Sequence, residues 1–535
     1  MKLERFSWSL AARQCGWKRV SPDRPAALTP AGSLMEGPKP CPAEMSKFGS
    51  LPLASILTVL VGCAPAPPVE QFATVDESLS VLLITVDDMN WDSAGVYGAA
   101  IPDLTPNIDA LAAQGMRFEQ AHVTIAICQP TRAVWMTGRY PHRSGALGFE
   151  EIRPDVPTLV EALGDVGYYT GVMAKTGHVL PSRPEIWDEV IPARELANGR
   201  SPDLYYERTL DFLLNADSAG EPFFLMANSQ DPHRPFAASA TEAAARATDA
   251  ESTNHQYGGG FPDTPLAFDP AEIPVPGFLP DLPGVRQELA EYYTSVRRAD
   301  ETTGAILRAL DDSGLTDRTV VMFLSDHGIA VPFAKTNVWM HSTRTPWIIR
   351  WPGVVTPGTV DERHLVSGVD LAPTILDLLA LPPLPGADGH AFTPVLRGEA
   401  QDNREVVFTH MNSTVAPEWY GMRAVNDARF GYIYNAWADG ETEFFNNSMR
   451  GLTFPAMQAA AADDAAIAAR IEHLLHRAKE ELYDYATDPD ALDNLIGDPA
   501  QAERIERSRE LLLEHMRATD DPELDEYGRF LATVR

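Results

Sequence analysis

Residues 80 to 92 read SVLLITVDDMNWD, and residues 319 to 328 read TVVMFLSDHG. The run from Val81 to Val86 is apolar and rich in branched residues, the pattern of a strand buried on both faces of a parallel sheet. It ends in the adjacent carboxylates Asp87 and Asp88. Like charges side by side at the end of a buried strand are costly unless a cation neutralises them. Ligands of open α/β sheets also bind beyond the carboxyl ends of the strands. A hard-metal site is the simplest reading of the pair; two solvated aspartates in a surface turn are the competing one. The second run, apolar from Val320 to Leu324, closes on Asp326 and His327. Two buried strands far apart in sequence can thus supply four ligands, Asp87, Asp88, Asp326 and His327, to one ion.

Outward from these strands the chain alternates strand and helix patterns from Val81 to about Leu379, with helical stretches TPNIDALAAQG, VPTLVEALGDVG, LYYERTLDFLLNA and LAEYYTSVRRADETTGAILRAL. The alternation predicts a large, mostly parallel sheet with helices on both faces. From about Arg404 the pattern changes to short strands, VVFTHMN and FGYIYNAW, an Ala-rich helix over 459–480 and a closing helix over 502–516. A smaller α+β subdomain follows, an antiparallel sheet packed by a helix. The stretch from Thr241 to Pro283, rich in Thr, Gly, Pro and Asp, reads as a long excursion of the kind that walls an active site.

Residues 128 to 139, CQPTRAVWMTGR, add the chemistry. AVWMT has the look of the first turns of a helix, which puts Cys128 where unpaired backbone N–H groups and the helix dipole favour an anion. The competing reading of Cys128 is a small buried apolar residue. The pattern Cys128-x-Pro130-x-Arg132 resembles the signature of the sulfatases, members of the alkaline phosphatase superfamily, in which this cysteine is oxidised to formylglycine. The resemblance implies that the aldehyde hydrates to a gem-diol, one hydroxyl attacks the sulfur of the sulfate ester, and the other then loses its proton and expels sulfate as the aldehyde re-forms. It implies that Arg132 holds the diol with its fork of donors and that Pro130 sets the turn into the helix. A formylglycine-generating enzyme is an implied partner.

In sulfatases the metal tetrad is Asp, Asp, Asp and Asn or Gln, usually around Ca²⁺, with formylglycine beside it. The resemblance places Asp87, Asp88, Asp326 and the modified Cys128 there, with His327 in place of the amide. An imidazole is a softer ligand and admits Mn²⁺ or Zn²⁺ as competitors to Ca²⁺. Related phosphonate and phosphodiester hydrolases of the superfamily use an Asp-His pair at this point.

Basic residues stand in the settings where the family keeps its sulfate-binding groups: Lys175 and His178 in YYTGVMAKTGHVLP, His233 and Arg234 in NSQDPHRPF, and Lys335 in VPFAKTN. Charge develops on the sulfuryl oxygens during transfer, so fixed cations accelerate it, and an alcohol leaving group needs a general acid. By resemblance, Lys175 and His178 contact diol and sulfate, while His233 and Lys335 bind sulfate and protonate the leaving oxygen. The family spacing leaves one residue between Lys and His; here Thr176 and Gly177 intervene. Arg234 is the candidate for contacting the saccharide.

The segments DPHRPF, AKTNVWMHSTRTPWIIRWPG and MRAVNDARFGYIYNAW are similar to the heparan N-sulfatase (sulfamidase) branch, from about Val81 to the stretch Glu481 to Leu495. Lys335 stands where that branch has an arginine. Sulfated saccharides of the heparan glucosamine type are the implied substrates. N- versus O-sulfate is not carried over, because specificity lives in loops.

Met45 begins MSKFGSLPLASILTVLVGCAPAPP, a basic start, an apolar stretch from Leu51 to Val61, and LVGC. This resembles a bacterial lipoprotein signal, too short to span a bilayer. It predicts a chain lipidated at Cys63 and tethered to the bacterial cell envelope through the lipid anchor only, with APAPPVEQ as a Pro-rich tether. Residues 1 to 44 read as an upstream extension outside the native protein or as disordered chain. The domain reading is then 45–62 signal, 63–80 tether, 81–400 catalytic domain and 401–535 C-terminal subdomain. Of Cys15, Cys41, Cys63 and Cys128, only the last two survive such processing, so no disulfide is expected. A net charge of −32 over 535 residues argues against nucleic acid as a partner. The sequence does not specify an oligomeric state. Three alternatives stay open beside the saccharide sulfatase: a phosphodiester or phosphonate monoester hydrolase, an arylsulfatase without sugar specificity, and a non-catalytic glycan-binding lipoprotein.

Overall fold

The computed structural model describes residues 79–179, 183–249, 260–264, 266–414 and 418–535. The predicted signal, lipidation and tether positions, Cys63 included, lie outside the described residues.

An eight-stranded sheet forms the centre. Its strands are β1 (Ser80–Val86), β2 (Met116–Phe118), β3 (Tyr169–Met173), β4 (Glu189–Ile191), β5 (Phe223–Asn228), β6 (Thr319–Ser325), β7 (Trp347–Arg350) and β8 (Thr359–Asp361). They lie in the order β4-β3-β5-β1-β6-β7-β2-β8, with all neighbours parallel except those of β7. Every residue of β1, β5 and β6 is buried, as apolar runs covered on both faces require. The alternating side chains of β1 feed two cores, Leu82, Ile84 and Val86 one, Val81 and Leu83 the other.

Helices cover the sheet where the 3.6-residue periodicity predicts them: Pro106–Gln114, Leu159–Gly164, Pro202–Ala219 and Pro283–Ser313. Register then decides where the chemistry sits. Val86 pairs with Ser325, so Asp87 and Asp326, each one residue further on, emerge together at the carboxyl edge. The Asp326 N–H donates to Val86 O at 3.2 Å.

A second sheet is antiparallel and four-stranded, β9 (Val407–Ser413), β10 (Trp419–Asn426), β11 (Phe430–Asn435) and β12 (Glu480–Asp484), in that order. Helix Ala502–Ala518 and a further helix, Leu524–Val534, contribute to its core with Leu512, Met516, Tyr527 and Leu531. The single helix expected over 459–480 is instead two, Thr453–Ala460 and Ala465–Leu475, and Glu480 opens β12. The break has a local cause: the Asp464 side chain accepts from the Ala466 and Ile467 N–H groups and caps a new helix. The excursion after Thr241 also carries structure, the helix Ala240–Asp249, and none of its described residues lines the cavity at the carboxyl edge.

Candidate active site

Asp87 and Asp88 leave β1, Asp326 and His327 leave β6, and Asn228 ends β5; all five side chains are fully buried. Between them comes the helix Cys128–Thr137, whose first residue is Cys128, ended by Gly138 in the left-handed region at φ 62°. Cys128 Sγ lies 3.3 Å from His327 Nε2, 3.4 Å from Lys335 Nζ and 3.5 Å from Asp87 Oδ1. The predicted helix start and the two predicted strand ends therefore meet.

Asp87, Asp326, His327 and Cys128 offer ligand atoms all within 4.8 Å of one another, and Asp87, Asp88, Cys128 and His233 form an overlapping group. His327 Nδ1 lies 3.0 Å from Gly328 O. A proton on Nδ1 donates there and leaves the Nε2 lone pair facing Asp88 Oδ1 at 3.4 Å and Asp326 Oδ1 at 3.5 Å. Asp88 Oδ2 is buried without a hydrogen-bond partner. Three buried carboxylates, one of them with an orphaned oxygen, and an imidazole nitrogen facing them fit a divalent cation.

The cations are also in place. The Lys175 ammonium pairs with Asp87 Oδ2, and Lys335 Nζ lies 2.6 Å from Asp88 Oδ1. Arg132 Nη2 donates to Asp326 Oδ2 at 3.0 Å and Asp87 Oδ2 at 3.3 Å, and its Nη1 to Asn228 Oδ1 at 2.6 Å and Thr85 Oγ1 at 3.1 Å. The fork thus joins the carboxylates of Asp87 and Asp326, and none of these bonds goes to Cys128. Burial alone would raise the Asp87 carboxyl, but Lys175, His233, Arg132 and Lys335 hold it well below the usual range. Burial and the neighbouring carboxylates, Asp87 foremost, push the Cys128 thiol up despite Lys335. Burial would lower Lys335, yet Asp88 and its neighbours raise it, so it keeps its proton. Burial and then the two lysines push His233 well below its ordinary value, and burial with Lys175 takes His178 down to about 2.

These groups open into a cavity of about 500 Å³ lined by Cys128, Lys175, His178, His233, Arg234 and Lys335 together with Phe149, Gln230 and Asn447. All the predicted basic residues thus reach one space. His178 Nδ1 is buried without a partner, and the ring meets the edge of Phe149 at 6.0 Å. Arg234 is already engaged, with Nη2 2.5 Å from Glu288 Oε1 and Nη1 donating to Asn447 O at 3.3 Å. Asp88, Lys175 and Thr336 hold left-handed backbone, φ 68°, 47° and 62°, the local strain that functional sites tolerate.

Several contributors were not read from the sequence. Asn228 orients Arg132 and is itself held by Thr85 Oγ1 at 2.7 Å and Met173 O at 2.9 Å. Its signal was a polar residue ending a third buried strand, FFLMAN. Asp231 is clamped by Arg298 at 2.6 Å and Arg200 at 3.2 Å, and Arg200 Nη2 donates to His233 O at 3.0 Å, fixing the His233 loop. A further imidazole cluster, His142, His410 and Asp521, lies elsewhere. Arg423 already grips Asp521 at 2.6 and 3.0 Å, so that carboxylate is neutralised and the cluster reads as a polar core.

Comparison with known proteins agrees with this geometry. The family model for sulfatases matches residues 80–381, and that for the C-terminal part of N-sulphoglucosamine sulphohydrolase matches 326–445. Human N-sulphoglucosamine sulphohydrolase is 30% identical over 488 residues, 83% of this chain and 91% of that protein. The solved structure of BT4656 in complex with its substrate D-glucosamine-2-N,6-O-disulfate superposes with a TM-score of 0.60 at 19% identity, covering 84% of this chain and 99% of that one. The phosphonate monoester hydrolase of Silicibacter pomeroyi gives 0.58 at 20%, covering 83% and 96%. At such identities the structural likeness speaks for the fold alone. The chain belongs to the sulfatase family and is a sulfuric ester hydrolase.

Proposed function

We propose that this enzyme removes sulfate from sulfated saccharides of the N-sulfated glucosamine type, with a formylglycine made from Cys128 as nucleophile. The observation that carries the reading is the place of Cys128, at a helix start on the cavity wall, within 3.5 Å of Asp87, His327 and Lys335. Support for the sugar comes from the human relative, named for N-sulphoglucosamine, and from the glucosamine disulfate bound by BT4656.

Asp87, Asp88, Asp326 and His327 would hold the divalent cation, Ca²⁺ by family and Mn²⁺ or Zn²⁺ by the imidazole; such an ion supplies charge stabilisation to the transferring group. Lys175, His178, His233 and Lys335 bind the sulfate oxygens. As the S–O or S–N bond breaks, the leaving atom takes a proton from Lys335, which is held protonated, or from His233 once bound sulfate has raised it. Arg132 and Asn228 keep the carboxylates in register. Desulfation of heparin-type disaccharides bearing single N-, 2-O- or 6-O-sulfates tests the reading, and release from the N-sulfated compound is expected. Turnover of a phosphonate monoester in preference to all of them would replace it with the second reading, which His327 favours. We further propose that Cys63 carries a lipid anchor; a Cys63→Ser variant expressed from Met45 should lose membrane association.

A further inference from the structure

Lys335 sits in a turn whose backbone is strained. Phe333, two residues before it, and Thr336, just after it, hold left-handed conformations, φ 71° and 62°, and the branched Thr336 adopts that region at a cost. Surrounding bonds hold the turn in place. The Lys335 N–H donates to Ile329 O at 3.0 Å, and the Thr336 N–H donates to Ala126 O at 2.9 Å, two residues before Cys128. A further tie comes from the C-terminal part of the chain. Asn446, 1% exposed, donates through Nδ2 to Lys335 O at 3.1 Å and to Thr336 Oγ1 at 2.5 Å. The Thr336 hydroxyl, accepting from this amide, donates in turn to Lys335 O at 2.6 Å.

Asn446 makes these bonds at the expense of its local role. It is the N-cap of the short helical turn Asn447–Arg450, where an asparagine side chain ordinarily accepts an N–H of the first turn. Here it makes no such cap, and its Oδ1 is buried without a hydrogen-bond partner among the described residues. Lys335 O can only accept, so the amide nitrogen must face the lysine and the oxygen must point away. A buried acceptor left unsatisfied is a cost, tolerated where something else is gained. The gain lies at the far end of the lysine side chain. Lys335 Nζ stands 2.6 Å from Asp88 Oδ1 and 3.4 Å from Cys128 Sγ, on the cavity that Asn447 also lines.

We propose that Asn446 is a positioning residue that holds Lys335 where its ammonium meets the leaving atom, so that the C-terminal part of the chain sets the proton transfer. The proposal rests on the role given to Lys335 above. Protonation matters for a basic leaving group such as a sugar oxygen or nitrogen, and little for a nitrophenolate. Asn446→Ala should therefore lower kcat on N-sulfoglucosamine about tenfold with KM within about twofold, and alter kcat on nitrophenyl sulfate by no more than about twofold. In a Lys335→Ala background the same substitution should have no further effect on the saccharide. Asn446→Asp, close in shape but with no side-chain N–H for Lys335 O, should repeat the contrast and stands in if Asn446→Ala fails to fold. Equal losses on the two substrates, no loss on either, or a loss that persists without Lys335 overturn the proposal. If the saccharide is not desulfated, the substrate reading fails and phenyl sulfates of increasing leaving-group basicity decide: a steeper fall of kcat in the variant supports the proposal, and a parallel one overturns it. If no sulfate ester is turned over, the crystal structure of Asn446→Ala decides, with Lys335 Nζ displaced from Asp88 supporting the proposal and an unchanged 2.6 Å separation overturning it.

Discussion

Arg132 Nη2 lies 3.0 Å from Asp326 Oδ2, and both side chains are fully buried. The same nitrogen reaches Asp87, so one guanidinium joins the ends of β1 and β6. Removing one partner from a buried pair leaves an uncompensated charge, at a cost of about 3 to 5 kcal/mol. Arg132→Gln should lose that much stability in urea denaturation. Arg132→Lys keeps charge but not the planar fork, and should recover part of it. A wild-type denaturation midpoint in Arg132→Gln would show that the bridge contributes nothing.

Conversion of Cys128 to formylglycine lowers the mass of its tryptic peptide by about 18 Da and makes it reactive to hydrazides. Cys128→Ala should abolish turnover, with an unchanged melting temperature showing that the fold is intact. Full activity from protein whose Cys128 is entirely thiol would dismiss the nucleophile.

A bound divalent cation stabilises the folded state by mass action, about 2.7 kcal/mol at a hundredfold excess over Kd. Chelation should therefore lower both melting temperature and activity, and Asp326→Asn should do the same. In His327→Asn the preference should move towards Ca²⁺, read as the order in which Ca²⁺, Mn²⁺ and Zn²⁺ restore the chelated enzyme. An unchanged order would remove the imidazole as the selector.

The strand ends were legible because burial on both faces leaves no latitude in composition. A run such as VLLITV followed by two aspartates has few other homes, and register between β1 and β6 brings the pairs together without further information. The groups that escaped notice act across long separations. Asn228 matters only because Arg132 arrives beside it, and Glu480 lies in a strand only because β11 is there to pair with it. Arg132 itself was recognised by its motif, but the motif carries no record of which acceptors would claim its fork. The turn at Asp464 was readable in principle, as an N-cap inside an Ala-rich run.

Acid should unfold this protein through the other imidazole cluster. Burial pushes His410 well below the ordinary 6.5 and His515 down to about 3. Both are depressed, so unfolded chains bind the protons first. Their contribution to stability is complete above about pH 6.5 and is lost as pH falls from there towards 3. Each group steepens the loss by about 1.4 kcal/mol per pH unit. His515→Phe, which preserves stacking on Phe408 at 3.8 Å, should flatten the curve of unfolding free energy against pH between 6 and 4 by about that amount. An unaltered slope would mean that His515 does not remain neutral in the fold.

Arg234 joins specificity to structure. Its guanidinium lines the catalytic cavity yet is paired with Glu288, a side chain only 2% exposed. Arg234→Ala would strand the negative charge of that carboxylate, leaving it only the hydrogen bond from the Thr453 N–H among those described. The loss should therefore show in stability as well as catalysis, about 1 to 3 kcal/mol for one unsatisfied buried group. Arg234→Ala combined with Glu288→Gln removes the stranded charge and should restore most of the stability. What remains missing in the double variant is then the contact with substrate. A deficit in kcat/KM confined to the charged saccharide, with an aryl sulfate unaffected, would assign Arg234 to the sugar. Recovery on both substrates would leave it as a strut for the wall at Asn447.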